Sequence, residues 1–285
     1  MRCLVEDLAA FAGTAGAWLR REPVLHNVLL TLVADRLSGD VPLSGAERFV
    51  RVVDGGVTVG AAVWTPPRGP LLGAVPVAAA RALAEHFVRA APPLAEVHGP
   101  VPAVVEFARR YADRAGLLAV PGTAQRIFRL DAVRPPTGVP GQARPATVAD
   151  RDLLVAWAEA FGAETTPGLR RVDLLRQVDA RLPYGDLLWL WEVAGTPVSM
   201  AWLSRQVSGV ARVSGVYTPP EHRGRGFAGG CVAHASRYAL SAGATTCTLH
   251  TDLANPTSNH IYQALGYTPV ADAAQWRFRP PNPER

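Results

Sequence analysis

The chain has 285 residues, 48% of them hydrophobic and 19% charged, which excludes a mostly disordered protein and makes two domains the natural division. The net charge is +5 with no lysine at all, and the arginines are scattered in ones and twos rather than gathered on one element, which argues against a nucleic-acid partner. Three cysteines without a CxxC spacing, and seven histidines without HxxxH or HExxH, point away from a disulfide framework or a metal site.

Glu6 and Asp7 stand where a signal peptide wants positive charge, and no apolar run is long enough to span a bilayer. The expectation is a cytoplasmic protein, monomer or homodimer, with neither a membrane nor a nucleic acid as partner. Residues 4–37 carry helical apolar patterning. Residues 50–64 read as two alternating runs around Gly55-Gly56, a β-hairpin, and helices are expected near 77–87 and 104–115. The stretch RPPTGVPGQARP, residues 134–145, is rich in proline and glycine and reads as a linker. It separates a domain over 1–133 from one over 146–285.

The second half begins with helices over 146–160 and 172–181. A hairpin follows over 188–203 around Ala194-Gly195, then a strand over 210–217, a helix over 226–242 and a strand over 245–251. A helix over 256–265 and a closing strand over 275–278 end the pattern. Strands alternate with helices, so this half is α/β. Aligning Gly56 with Gly195 also aligns Val59 with Val198, which suggests an internal duplication; two unrelated hairpins look alike in the same way.

The most informative run is VYTPPEHRGRGFAGGC, residues 216–231. A strand leads into a glycine-rich turn and then an apolar helix. The free N–H groups of a helix start, its positive dipole end and glycines that admit close backbone approach make an anion site suited to a pyrophosphate. Arg223 and Arg225 stand at its rim. A dinucleotide loop would need GxGxxG and a phosphate-binding P-loop would need GK[ST]; neither is present. Arg223, Gly226 and Ala228 instead match R-x-x-G-x-A, and Asn255, Ser258, Tyr262, Gly266 and Tyr267 match a later N-x-x-S-x-x-x-Y-x-x-x-G-Y.

With both motifs in this order, the sequence from about residue 143 onward resembles the GCN5-related N-acetyltransferase (GNAT) superfamily, in detail its tandem members from high-GC bacteria. The resemblance implies a mixed, mostly antiparallel sheet flanked by helices in the second half, and a degenerate GNAT-like repeat or helical cap in the first, which lacks both motifs. It implies acetyl-CoA as donor. Val216, Tyr217 and Thr218 would hold the thioester carbonyl and pantetheine arm through their backbone. The amides of Gly224, Arg225, Gly226, Phe227 and Ala228 would hold the pyrophosphate. Asn255 and Ser258 would contact the cofactor, Asn255 also as a catalytic position, and Tyr262 would protonate the departing thiolate.

The expected reaction is acetyl transfer to an amine of a small molecule by direct attack. The alternatives are another acyl donor, an oxygen acceptor, or a non-catalytic acyl-CoA-binding module. Many relatives carry a glutamate base on the fourth strand, whereas here that strand reads VARVSGVY. Backbone-held water, Ser214, Glu192, His222 and His250 remain as candidates for the base. Residues 161–169, Tyr184, Trp189, Trp191 and Trp202 are candidates for the acceptor pocket. Ordinary packing of the tryptophans on the sheet is the competing reading.

Overall fold

The computed structural model describes residues 1–90, 92–165 and 171–281. Positions 166–169 of the expected acceptor segment lie outside the described residues. The chain divides into two units. Unit 1 comprises Met1–Ile127, Thr251–Asn255 and the chain from Pro269 on; unit 2 comprises Phe128–His250 and Pro256–Thr268.

Unit 1 opens with strand β1 (Arg2–Glu6), inside the stretch read as helical; it pairs antiparallel with a later strand from Arg2↔Val53 to Glu6↔Phe49. Helices α1 (Leu8–Thr14), α2 (Gly16–Leu19) and α3 (Asn27–Leu37) follow. The Asp7 carboxylate accepts the Ala10 N–H at 2.8 Å and so caps α1. Next come the hairpin β2 (Arg48–Asp54) and β3 (Val57–Trp64), then β4 (Leu71–Leu72), α4 (Val77–Ala90), β5 (Glu96–Pro100), α5 (Ala103–Ala115) and β6 (Leu118–Leu130). The two-residue β4 is parallel to β5, with α4 as the crossover. Val50, Leu83, Phe87, Phe107 and Tyr111 build the core.

The structure corrects the placing of the last strand. Residues 275–278 do not close the sheet of the second half. They lie in β12 (Thr268–Arg279), which pairs antiparallel with β5 from Ala273↔Pro100 to Arg277↔Glu96. The reason is apolar: the Phe278 ring packs tilted against Tyr111 with ring centroids 4.6 Å apart, and Trp276 packs against the same core.

In unit 2 the stretch read as a linker ends in strand β7 (Gln142–Pro145). After a 3-10 turn come α6 (Arg151–Thr165) and α7 (Arg171–Asp179), then β8 (Leu188–Val193), β9 (Thr196–Leu203) and β10 (Val210–Tyr217). The unit continues with α8 (Phe227–Ser241), β11 (Thr246–Asp252) and α9 (Pro256–Ala264), and its strand order is β11-β10-β9-β8-β7. Segment 140–145 is held despite its prolines because the Trp191 indole donates to the Pro140 carbonyl at 2.9 Å and Arg144 bridges Glu192 at 2.6 Å and Asp150 at 2.7 Å. One sheet face packs α8 through Trp189, Ala201, Leu203, Ala211 and Val213. The other packs α6 and α7 through Leu188, Leu190, Met200, Trp202 and Tyr217.

The two hairpins share more than a glycine. Gly55 and Gly56 have φ of 55° and 86°, and Ala194 and Gly195 have 49° and 77°, the two successive positive values of a type I′ turn. Each hairpin also shifts register one step from its turn, between Val52 and Val53 in the first and between Trp191 and Glu192 in the second. A shared turn with a shared bulge is what duplication leaves behind and what packing alone does not require.

Candidate active site

Strands β10 and β11 run parallel and pair only at Val210↔Thr246, Ala211↔Cys247 and Arg212↔Thr248. Beyond that they continue without pairing among the described residues, so a gap opens between them. On its other edge β10 pairs with β9 at Val213↔Leu203 and Ser214↔Trp202, then shifts register before Tyr217↔Met200. Gly215 sits in this bulge with φ +54° and its backbone against the Trp202 ring. A side chain there would meet the indole, which is why the bulge needs glycine. Past the bulge, the buried Ser199 hydroxyl donates to the Tyr217 carbonyl at 3.0 Å and lies 2.8 Å from the Thr218 hydroxyl. The turn where the parallel strands part is thereby fixed.

The chain then enters a 3-10 turn (Pro220–His222), the glycine loop and α8. Gly224 and Gly226 are left-handed, with φ of +76° and +80°. Gly226 is the N-cap of α8, and no side chain caps the helix. Among the described residues the N–H groups of Gly224, Arg225, Gly226, Phe227, Ala228 and Gly229 donate to nothing. Six amides in succession at a dipole-positive helix start form a strong anion cradle. Gly230 packs flat under Trp191, where a Cβ would stand 3.0 Å from the ring.

Arg223 does not stand free at the rim. Its guanidinium bonds the Thr218 carbonyl at 2.9 Å and Glu164 of α6 at 2.7 Å, and it lies over the Tyr217 ring at 5.7 Å. It ties the loop to the bulged strand. Arg225 is exposed and makes no ion pair among the described residues.

Tyr262, on α9, is buried in the α8-side cluster, its ring edge-on to Tyr267 at 6.0 Å. Burial pushes its phenol up to about 12, so it stays protonated at neutral pH. Its hydroxyl makes no hydrogen bond to a described residue. Asn255, exposed, immediately precedes α9, and its N–H donates to the Asp252 carbonyl at 3.1 Å; Ser258 lies in the first turn of that helix.

The residues expected around the acceptor divide between the two faces. Trp202 and Ser214 are direct partners on the α6 and α7 side. Trp189 and Trp191 are on the α8 side. The Trp189 indole donates to the Asp186 carbonyl at 2.9 Å, and its ring packs tilted against His234 and Tyr238. They are packing residues because strand alternation sends them away from Trp202. Glu192 is ion-paired to Arg144 and is not a free base. Tyr184 receives a hydrogen bond from Arg205 at 3.1 Å and lies on the surface. The Nδ1 of His222 is buried without a partner among the described residues. The three cysteines are free, and burial raises the thiols of Cys231 and Cys247 well above neutrality and Cys3 to about 11, so none offers a thiolate.

Among its described residues unit 1 has no equivalent cradle. Its β4 is two residues long, and only four residues separate it from α4. The Ala74 N–H donates to His26 Nε2 at 3.0 Å, the Gly73 N–H to Ala61 and the Val75 N–H to Gly73. A Cβ on Gly73 would stand 2.9 Å from the Trp18 ring. These amides are spent and the space above them is filled.

A parallel strand pair that parts beside a bulge, followed by an uncapped glycine-led helix, gives unit 2 an α/β fold with a row of unpartnered amides at a helix start. Solved structures give that fold its name. The chain is similar to a GCN5-related N-acetyltransferase from Sphaerobacter thermophilus at TM-score 0.66 and 17% identity, covering 96% of this chain and 94% of that one. It is similar to an acetyltransferase from Colwellia psychrerythraea at 0.63 and 11%, covering 98% and 100%. It is also similar to a tandem GNAT protein of the clavulanic acid biosynthesis pathway at 0.53 and 12%, covering 96% and 97%. No curated protein matches the chain. Residues 153–267 match the acetyltransferase (GNAT) family, and the solved structures show a like fold over nearly the whole chain. No helix among the described residues is long and apolar enough to cross a membrane.

Proposed function

We propose that this protein moves the acetyl group of acetyl-CoA to an amine of a small molecule by direct attack, and that unit 2 alone holds the cofactor. The observation that carries this reading is the run of six unpartnered amides at residues 224–229, led into by the strand that parts from its neighbour. The amides receive the pyrophosphate. The backbone of Val216, Tyr217 and Thr218, at the bulge, receives the pantetheine arm and the thioester oxygen; donors fixed before reaction stabilise an oxyanion without reorganisation. Arg225 adds charge at the rim, and Ser258 flanks the cofactor from the first turn of α9. Tyr262, protonated and without a partner, gives its proton to the sulfur as the C–S bond breaks. With no thiolate available from the three cysteines, a cysteine acyl-enzyme has no support. A pure acyl-CoA-binding module has no use for a buried proton donor, which favours catalysis. Unit 1 serves as a structural repeat.

The test is thiol release from acetyl-CoA across a panel of small primary amines. Turnover above the uncatalysed rate with at least one amine is expected. Tight acetyl-CoA binding with no thiol release from any amine contradicts the reading.

A further inference from the structure

Three polar side chains form one transverse row in the unit 2 sheet, on the α6 and α7 side. Trp202 of β9 and Ser214 of β10 are direct partners. Two residues beyond the last paired positions, Arg212 and Thr248, stand Ser214 on β10 and His250 on β11. Side chains alternate along a strand, so both keep the face of the pair they follow, and they come level across the gap. Among the described residues none of the three is satisfied. Trp202 Nε1 and His250 Nε2 are buried without a partner, and the half-buried Ser214 hydroxyl makes no hydrogen bond. The Trp202 ring cannot turn aside, since the Gly215 backbone rests on it and the Arg181 guanidinium lies over it at 5.5 Å. Orphaned buried polar atoms are rare in folded chains and call for a partner that arrives. Here a lone indole donor and an unpartnered imidazole nitrogen flank a hydroxyl beside the bulge.

We propose that this row is the acyl-acceptor end of the site, taking a compact primary amine that also carries an oxygen, with His250 Nε2 accepting the proton of the attacking nitrogen and Trp202 Nε1 donating to the oxygen. The proposal rests on the acetyl-transfer reading above. It also fills the place left by the strand, VARVSGVY, which has no carboxylate. The step balances. The amine lone pair forms the C–N bond, and the carbonyl π pair moves to oxygen. The N–H proton of the cationic adduct passes to His250 Nε2. The carbonyl re-forms, and the C–S pair leaves with sulfur, which takes the Tyr262 proton. Solvent returns the His250 proton to Tyr262, leaving amide and free thiol. Burial, with the Arg212 charge on the neighbouring strand, holds the His250 imidazole down to about 4. It is neutral at working pH, able to accept a proton from the acidic adduct and quick to release it.

The experiment uses the full chain with saturating acetyl-CoA and two probe amines, ethanolamine and ethylamine, which differ by one oxygen. His250→Asn and His250→Ala should lower kcat about 100-fold or more with ethanolamine, within the range of general base catalysis. Acetyl-CoA affinity by calorimetry should stay within about twofold, since the lost interaction belongs to the transition state. The residual rate should climb more steeply between pH 7 and 9, as hydroxide replaces the lost acceptor. Trp202→Phe should erase the preference for ethanolamine over ethylamine. A reading without variants is the ring-nitrogen NMR shift of His250, expected to move when ethanolamine is added to the CoA-saturated protein. Wild-type kcat in His250→Asn, loss confined to acetyl-CoA affinity, or an unmoved His250 signal would overturn the proposal. So would a wild-type chain that binds acetyl-CoA but acetylates neither probe. Failure of the wild-type chain to bind acetyl-CoA at all would overturn the acetyl-transfer reading itself.

Discussion

A Cβ on Gly215 would stand 2.7 Å from Cδ2 of Trp202, so the backbone of β10 leans directly on the indole of its neighbour strand at the bulge. This contact shapes the strand where it parts from β11. Gly215→Ala would add both a clash and a left-handed alanine, since φ there is +54°. We expect a loss of about 1–3 kcal/mol in stability, read from urea unfolding, together with weaker acetyl-CoA binding. An alanine variant with unchanged stability would mean that the bulge relaxes freely.

Tyr262→Phe removes a hydroxyl that bonds no described residue and keeps the ring edge-on to Tyr267. Stability and acetyl-CoA affinity should therefore hold. Turnover at saturating substrates should fall about 100-fold, the lower end of what general acid catalysis contributes. Full turnover removes Tyr262 as the acid; joint loss of turnover and affinity makes it a binding residue.

Asp150 closes a capping box with Thr147 and bonds Arg144, which holds its carboxyl down to about 2. A depressed pKa contributes stability above the unfolded-state value of roughly 4, lost as pH falls through the folded value. Asp150→Asn should cost about 1–2 kcal/mol at pH 7. The difference from wild type should close between pH 4 and 2. A constant difference across that window in chemical denaturation would refute the ion pair as its source.

One acetyl-CoA should bind per chain, because the unit 1 loop has its amides occupied by His26, Ala61 and Gly73. Calorimetric stoichiometry measures this directly, and two sites would contradict it. Cutting the chain at residue 133 is a poor substitute, since it strips β12 from β5 and leaves the unit 1 core without Phe278.

Periodic and punctuated features were legible in the sequence. The helix read over 226–242 is Phe227–Ser241, and the two hairpins stand where Gly55-Gly56 and Ala194-Gly195 placed them. The glycine loop was legible because its residue types are dictated by backbone geometry. What stayed hidden depends on partners distant in sequence. The sequence of β6 carries Pro121 and Gly122 and shows no clean alternation, and β7 is held by the Trp191 and Glu192 side chains. The placing of β12 in unit 1 follows from the Tyr111–Phe278 contact, which no local pattern announces. The tryptophans looked equivalent until strand register sent Trp189 and Trp202 to opposite faces. Arg223 read as a free charge because its partner Glu164 lies on another helix.

The central claim is that acetyl-CoA is held at the residue 224–229 amides, and titrating acetyl-CoA calorimetrically into Gly226→Val tests it most directly. Gly226 has φ +80°, and even its Cβ would stand 3.0 Å from Val139, so a branched side chain there displaces the loop and covers the amides. The wild-type chain should give one binding event and the variant none, while its far-UV spectrum and the unfolding of the remaining chain stay cooperative. Wild-type affinity in a folded Gly226→Val protein would contradict the account.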